Sequence, residues 1–514
     1  MMRRRDLLLG GVALAGLVPL SRFALAAAPT AAPAKPPAAT AFEASAVRRT
    51  AQSLAAAPFA SRDSKLPDEL AKLTYDDYRK IRFEPARSLW RGTNRPFEAQ
   101  FFHRGFLYKD RVQIFEVADG KATEIAYAPD LFQSDGIPLP QQADLGFAGF
   151  RLHAPINKPD YFDEICAFLG ASYFRGIAKG QVYGLSARGL SIKTASPDGE
   201  EFPSFKTFWI ERPNPGARSI VVHALLDSPS AAAAYRFTIT PQDTTNLFDV
   251  EMVLYPRADI AEAGIAPLTS MFFFAGNDRV GVDDFRPAVH DSDGLAMWTG
   301  KGEQLWRPLA NPQDLQVSSF VDEGIRGFGL MQRRRGFEDF KDIEARYDQR
   351  PSLWVEPLGN WGKGAVHLVE IPTKSEIHDN IVASWRPEAP LKAKSEYIFN
   401  YRLHWCSTNP GTTPLATVAE TLIGVGSREG ARVVVIELTG DAVKNVPEDR
   451  KFQVEVSADK GKTLNAIAHA NPVTGGWRMS FEFMPEENKI VELRAVLKSE
   501  DKPVSETWIY RWSA

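Results

Sequence analysis

Two short stretches gather the residue types that move protons. One reads His290-Asp291-Ser292-Asp293-Gly294 and continues into Leu295-Ala296-Met297-Trp298; the other reads Glu376-Ile377-His378-Asp379-Asn380 and reaches Trp385. Two carboxyl groups held on opposite sides of a bond can work as an acid and base pair, one donating a proton while the other accepts one. A cation site is the competing chemistry at the first stretch, because Asp291-Ser292-Asp293-Gly294 resembles the start of a calcium loop. Position five would be Leu295 and position twelve Gly302, and neither offers a side-chain oxygen. The eight histidines never fall into a zinc-binding spacing. No metal and no cofactor is therefore expected.

The aromatic content points to the ligand. Six of the 11 tryptophans (Trp298, Trp306, Trp354, Trp361, Trp385 and Trp405) fall between residues 298 and 405, interleaved with acids, arginines and glycines. Indole faces stack on the C–H faces of sugars while charged side chains bond the hydroxyls. A tryptophan-rich core with solvated acids is the other reading of the same composition. Other catalytic patterns fail. Gly184-Leu185-Ser186-Ala187-Arg188 and Gly170-Ala171-Ser172-Tyr173-Phe174 lack the last glycine of a nucleophile elbow, and Gly461-Lys462-Thr463 lacks the upstream glycine of a phosphate loop.

The elements that must carry these residues are mostly strands. The 514 residues are 44% apolar and include 37 glycines and 36 prolines, enough for a large core with many turns. Residues 111–128 alternate apolar and polar positions about Asp119-Gly120, a hairpin pattern, and residues 219–255 repeat the alternation. Helical spacing is confined to residues 43–57 and 66–80, so the fold class is all-β. A Pro, Gly and Thr-rich stretch at 406–418 marks a boundary, after which short strands resume, with turns at 459–462 and 471–476. These fit an immunoglobulin-like sandwich of about 100 residues.

Sixty-one basic against 64 acidic residues give a net charge of −3, which excludes a polyanion such as nucleic acid as partner. Arg3-Arg4-Arg5, an apolar run ending at Leu20 and Ala24-Leu25-Ala26 read as a signal peptide of twin-arginine type, cleaved after Ala26. The run is too short for a membrane span, so the mature chain is expected in a bacterial periplasm. The expected organisation is a signal over 1–26, an Ala/Pro tether over 27–42, a large sandwich over 43–408 and the immunoglobulin-like unit over 416–514. Cys166 and Cys406 are expected to be buried free thiols.

Asp144-Leu145-Gly146-Phe147-Ala148-Gly149-Phe150-Arg151, Phe168-Leu169-Gly170-Ala171-Ser172-Tyr173-Phe174-Arg175 and Tyr183-Gly184-Leu185-Ser186-Ala187-Arg188-Gly189-Leu190 resemble the periplasmic glucan biosynthesis proteins of G and D type. So do the 290–293 stretch, Arg350-Pro351-Ser352-Leu353-Trp354-Val355-Glu356-Pro357 and Trp361-Gly362-Lys363-Gly364. The resemblance runs from about residue 43 to the C-terminus, and the leader looks like the D type.

It implies an N-terminal sandwich related to galactose-mutarotase-like, sugar-binding folds and an immunoglobulin-like C-terminal domain. It also implies work on osmoregulated periplasmic glucans with a β-1,2-linked backbone. The D-type proteins are inverting glycoside hydrolases, and their general acid and general base look like Asp379 and Asp291 here. Tyr347 and Glu376 fall on positions lining the active site, and His290 stands ready to assist. Arg188, Tyr173, Trp298, Trp354, Trp361 and Trp385 are the expected sugar contacts.

Inversion requires roughly 6.5–9.5 Å between the two carboxyl groups, and a wider gap needs a proton relay. The donor must keep its proton near neutrality, which burial beside Trp385 or a like charge such as Glu376 would favour. One departure stands out. Residues 419–428 pass quickly into the C-terminal unit, where D-type sequences carry a longer insertion, so transglycosylation or cyclisation competes with endo-hydrolysis. The expected partner is a β-1,2-glucan oligosaccharide or polysaccharide, with no stable membrane insertion and a homodimer left open. The alternatives are a non-catalytic glucan-binding scaffold for backbone export or branching, and a metal-dependent hydrolase built on the Asp291 loop.

Overall fold

The computed structural model describes residues 38–61, 64–140, 144–411, 414–444, 446, 451–487 and 489–514. The expected signal and most of the expected tether lie outside the described residues. Strands dominate, and the all-β class holds.

Period-two alternation accounts for the two main layers. The hairpin Gln113–Ala118 and Lys121–Glu124 closes at Asp119-Gly120, whose φ angles of 52° and 70° are both left-handed, as a tight two-residue turn requires. Ile220–Asp227, Ala231–Pro241 and Thr245–Pro256 follow as antiparallel neighbours. These strands belong to a 16-stranded sheet that continues through Tyr397–Cys406, Ser352–Pro357, Gly327–Met331, Gly294–Trp298 and Gln304–Pro308.

The second layer is a 10-stranded sheet. Its order is Gln316–Glu323, Lys363–Glu370, Ile381–Pro387, Ala263–Ser270, Ser186–Arg188, Tyr173–Gly176, Tyr161–Leu169, Phe147–Lys158 and Glu98–His103, with Leu190–Ile192 alongside Ala263–Ser270. Phenylalanines join the layers: Phe168 meets Phe237 at 5.3 Å, Phe174 meets Phe248 at 6.0 Å and Phe150 meets Phe208 at 5.0 Å between ring centres. Alternation then sends the residues between them outward. Arg151, Tyr173 and Arg175 sit on the face of the 10-stranded sheet opposite this core.

Two expectations change in detail and a third holds. The 66–80 stretch forms two short helices, Asp68–Ala71 and Tyr75–Tyr78, instead of one. Thr74 divides them because its hydroxyl caps the second, accepting from the Asp77 backbone N–H at 3.2 Å. The 27–42 tether is not free at its end: Thr40–Ala41 pairs with Lys121–Glu124, and the Phe42 amide donates to the Gly120 carbonyl at 2.8 Å. The 43–57 helix is present as Ala44–Ala56 and buries Val47 and Ala51.

The C-terminal strands form two layers, but one layer is shared with the rest of the molecule. Thr417–Val425, Arg432–Thr439, Gly476–Met484 and Lys462–Asn471 make a four-stranded sheet. Gln453–Ala458, Ile490–Ser499 and Thr507–Ser513 extend the 16-stranded sheet instead, through parallel pairing of Leu305 with Thr507 and Trp306 with Trp508. The second hydrophobic core therefore mixes Trp306, Met331 and Trp354 with Val434, Phe481 and Trp508. Cys166 and Cys406 are buried and unpaired, and burial pushes the Cys406 thiol up to about 12.

A buried ion pair ties the two layers near the second acidic stretch. Glu370 and Arg307 are both sealed from solvent and bond at 2.9 Å, and the other Glu370 oxygen accepts from the Ala310 amide at 2.8 Å. Glu370→Ala strands the Arg307 charge in the interior, so it should destabilise the fold by about 3–5 kcal/mol. A thermal midpoint equal to that of the wild type would show that the pair does not clamp the layers.

Candidate functional site

The first acidic stretch is where the layers meet. Val289–His290 pairs with Phe272–Phe274, the Asp291 amide donates to the Met271 carbonyl at 2.8 Å, and Ser292 and Ser270 share a hydroxyl hydrogen bond at 2.8 Å. Two residues later the chain enters Gly294–Trp298 of the other sheet, with the Asp293 amide bonded to the Met331 carbonyl at 2.7 Å. The second stretch is the loop between Lys363–Glu370 and Ile381–Pro387. Its buried Asn380 side chain accepts from the Phe272 amide at 2.8 Å and donates to the Ile371 carbonyl at 3.0 Å. Both acidic stretches are thus fastened to the same three residues, 270–272.

Four consecutive residues after Gly327–Met331 organise the first stretch. Gln332 accepts from His290 Nδ1 at 2.9 Å and donates to the carbonyls of His290 and Tyr347 at 3.2 and 3.1 Å. The amides of Arg333 and Arg334 donate to one Asp293 oxygen at 2.6 and 3.0 Å, and Arg334 Nε reaches the other at 3.2 Å. Arg335 donates to the Arg350 carbonyl at 2.7 Å and to Ser352 Oγ at 3.0 Å. Arg350 in turn forms a buried ion pair with Asp291.

The electrostatics follow from these contacts. Burial and the adjacent Arg334 push His290 down to about 4, so the ring is neutral; Nδ1 donates to Gln332 and Nε2 accepts from Arg334 at 2.8 Å. Asp293 Oδ1 lies 3.2 Å from the same Nε2 without sharing a proton with it. Burial alone would raise Asp293, yet the Arg334 guanidinium and the amides of Arg334 and Arg333 outweigh it and hold the carboxyl below its ordinary range. His290 is fully buried between Phe272, stacked at 5.5 Å, and Phe340 at 5.1 Å. Its place is structural support for the turn.

Tyr347 lies under the Arg350 guanidinium at 4.3 Å and is fully buried, and its hydroxyl has no hydrogen-bond partner among the described residues. Burial raises its phenol, with Glu376 and Asp291 adding to the effect. The residue before it, Arg346, has φ of 46° without being glycine, a conformation costing about 1–3 kcal/mol. Glu376 is held by Arg286 at 2.6 Å, and the same guanidinium binds Asp284 and Asp342 at 2.7 and 2.8 Å. Asp379, with a quarter of its side chain exposed, faces Arg175 at 3.9 Å.

The outer face of the 10-stranded sheet runs away from that pair. Tyr173 lies beneath Arg188 at 5.1 Å; burial raises its phenol, with Glu200 and Asp379 among the charges that act on it. Arg188 bonds Glu200 at 2.6 Å and Thr269 at 3.2 Å. Toward one edge of the sheet a cleft of about 570 Å3 is lined by Tyr75, Tyr78, Arg79, Phe102 and Arg151. Toward the other edge a cleft of about 190 Å3 is lined by Glu262, Val317, His367, Ser384 and Arg386.

The structure gathers Asp291, Tyr347 and Glu376 around Arg350 and Arg286, and it places Asp379, Tyr173 and Arg188 on the adjoining sheet face. The tryptophans correct the sequence reading. Trp385 is fully buried and packs on Trp361 at 6.4 Å, and Trp354 belongs to the second core. All three fill interior space: Trp354 and Trp385 stand at inward-facing strand positions, and Trp361 is tucked in from the turn between Ser352–Pro357 and Lys363–Glu370. Trp298 is partly exposed but lies under Arg326 at 5.4 Å, on the strand leading away from the acidic turn. Arg350, Arg286, Arg175 and residues 332–335 were missed as site residues; the signal was available in three consecutive arginines, which cannot all point at solvent beside a buried strand.

A family model for the periplasmic glucan biosynthesis protein MdoG matches residues 42–512. Glucans biosynthesis protein G of Bradyrhizobium diazoefficiens is 57% identical over the full length of both chains. Its namesake in Rhodopseudomonas palustris strain BisA53 is 58% identical over 94% of this chain and 95% of its own, and that of Vibrio cholerae 49% identical over 92% and 87%. The GH36 α-galactosidase AgaB of Geobacillus stearothermophilus overlaps 50% of this chain and 38% of its own at 8% identity and a TM-score of 0.24. An all-β protein with paired acidic stretches at the junction of two sheets, the chain belongs to the periplasmic glucan biosynthesis protein family represented by MdoG. These relatives carry the G name.

The neutral histidines set a pH window. His290 and His103 are both held near 4 against an ordinary 6.5, chiefly by burial. The unfolded chain takes up these protons first, so the stability they contribute is complete above about 6.5 and is lost as the pH falls toward about 4. The thermal midpoint should drop across that window, and His290→Asn should flatten part of the slope. A midpoint that is flat or rises on acidification would contradict the assignment.

Proposed function

We propose that this protein acts in the bacterial periplasm on a β-1,2-linked glucan, cleaving a glycosidic bond with inversion at the anomeric carbon. Membership of the periplasmic glucan biosynthesis family supplies the glucan. In this reading Asp379 donates its proton to the departing glycosidic oxygen as the C–O bond breaks. Asp291 takes a proton from the oxygen nucleophile that attacks the anomeric carbon from the opposite face. Glu376 and Tyr347 line the site, and Arg188 and Tyr173 contact the chain as it crosses the outer face of the 10-stranded sheet.

The observation that carries the reading is the Tyr347 hydroxyl: buried, without a partner among the described residues, and beside Asp291, Arg350 and Glu376. A buried donor left unbonded costs about 1–3 kcal/mol, a cost that a substrate hydroxyl or a water on the path to Asp291 would remove. Tyr347 then serves as a link for the proton on its way from the nucleophile to Asp291. With water as nucleophile the outcome is endo-hydrolysis; with a sugar hydroxyl in the same position it is transglycosylation or cyclisation. Export by the twin-arginine route, and a division into a glucan-acting sandwich over 43–408 and an immunoglobulin-like unit over 416–514, belong to the same proposal.

One observation favours a second reading. Asp291 is engaged by Arg350 in a buried ion pair, the arrangement a purely structural carboxylate adopts. A glucan-binding scaffold without turnover would keep that pair intact.

Purified protein incubated with linear β-1,2-glucan separates the two. As an enzyme it consumes the chain, and Asp379→Asn lowers the rate roughly a hundred- to ten-thousand-fold with the fold unchanged, while Asp291→Asn lowers it as far but also costs stability, because Arg350 loses its buried partner. Binding without consumption, or full activity in Asp379→Asn, would reject the catalytic assignment in favour of the scaffold.

A further inference from the structure

Arg333 faces away from the acidic turn that its backbone holds. Its guanidinium lies on the Trp306 ring at 3.5 Å, forms a two-pronged ion pair with Glu506 and donates to the Val418 carbonyl at 2.6 Å. Glu506 is buried, and it accepts from the Val418 amide at 2.7 Å as well. Val418 lies in Thr417–Val425, and Glu506 immediately precedes Thr507–Ser513. The neighbouring Arg334, which reaches Asp293 and His290, also contacts Glu420 of Thr417–Val425 at 3.4 Å. A compact space bordered by Asp293, Arg334, Trp306 and Glu420 closes the seam.

We propose that Glu506, with Glu420 behind Arg334, is a positioning residue for the acidic turn, so that the C-terminal sandwich sets the geometry of Asp291 without touching the substrate. This rests on the proposed catalytic role of Asp291. The path is short and wholly polar. Glu506 fixes Arg333; the amides of Arg333 and Arg334 fix the Asp293 carboxylate; the Asp293 amide is tied to Met331; Gln332 fixes His290 and Tyr347. Arg335, the last residue of the run, holds the carbonyl of Arg350, the partner of Asp291. Without the Glu506 carboxylate, Arg333 keeps one carbonyl and one ring, and the run it anchors is free to shift. A shift there moves Asp291, Arg350 and Tyr347 together while the sheet face that would carry sugar contacts stays in place. The C-terminal unit therefore tunes turnover and leaves glucan affinity alone.

The test uses Glu506→Gln and Glu420→Gln in the full-length chain, with two readouts. On linear β-1,2-glucan, Glu506→Gln should lower kcat about tenfold or more with KM nearly unchanged, and Glu506→Asp should restore part of the loss. In amide hydrogen exchange, residues 290–293 and 332–335 should exchange about tenfold faster or more in Glu506→Gln, while Ile220–Asp227 keeps wild-type protection and reports an intact fold. Glu420→Gln, nearer the surface, should show the same pattern more weakly. Wild-type exchange at 290–293 in both variants overturns the proposal, and so does a KM effect that accounts for the whole loss. A wild-type protein that consumes no glucan removes the catalytic reading, and hydrogen exchange alone then decides the coupling.

Discussion

A guanidinium that leaves water must find acceptors for its five N–H groups, and this demand shapes the region around the acidic turn. Arg286 gathers Asp284, Asp342 and Glu376; Arg350 takes Asp291; Arg334 takes Asp293 and His290; Arg333 takes Glu506. Each arginine connects segments that the chain order keeps apart. The carboxylates are consequently held at defined places by side-chain contacts between distant segments. Removing any one partner leaves a charge with no solvent to stabilise it, so the network stands or fails largely as a unit.

The same region is where the two layers of the sandwich come into register. Within four residues the turn at 290–293 passes from the small sheet beside residue 272 into the 16-stranded sheet, and Asn380 fastens the second acidic loop to the same point. Strand alternation completes the arrangement. The core takes Phe150, Phe168 and Phe174, and the intervening positions put Arg151, Tyr173 and Arg175 on an outer face with a cleft toward each edge. A long, flexible polysaccharide suits such a face better than a compact metabolite does, because it makes many modest contacts along an open surface.

Local patterns were legible in the sequence and distant pairings were not. The Asp119-Gly120 hairpin, the three strands after residue 219 and the short C-terminal strands all follow from alternation and turn chemistry within ten or twenty residues. The family resemblance brought Asp291, Tyr347, Glu376 and Asp379 forward together, and the fold fastens the segments of Asp291 and of Glu376 and Asp379 to one three-residue stretch. The Arg350 partner of Asp291 is 59 positions away and the Glu506 partner of Arg333 is 173 away, so neither leaves a periodic trace. The parallel pairing of Leu305 with Thr507 is hidden for the same reason, which is why the C-terminal strands read as an independent sandwich. Tryptophan density misled because composition cannot tell an inward-facing indole from an outward one; Trp354, Trp361 and Trp385 fill cores.

Inversion is the property that distinguishes a pair of carboxylates acting on opposite faces from every other account of this site. Proton NMR of wild-type protein mixed with linear β-1,2-glucan reads it at the first turnovers, before the anomers equilibrate. The account predicts that the first new anomeric signal is α, whether as a free reducing end or as a new α-linkage to a second sugar hydroxyl. A first signal that is β, or a spectrum that never changes, would contradict it.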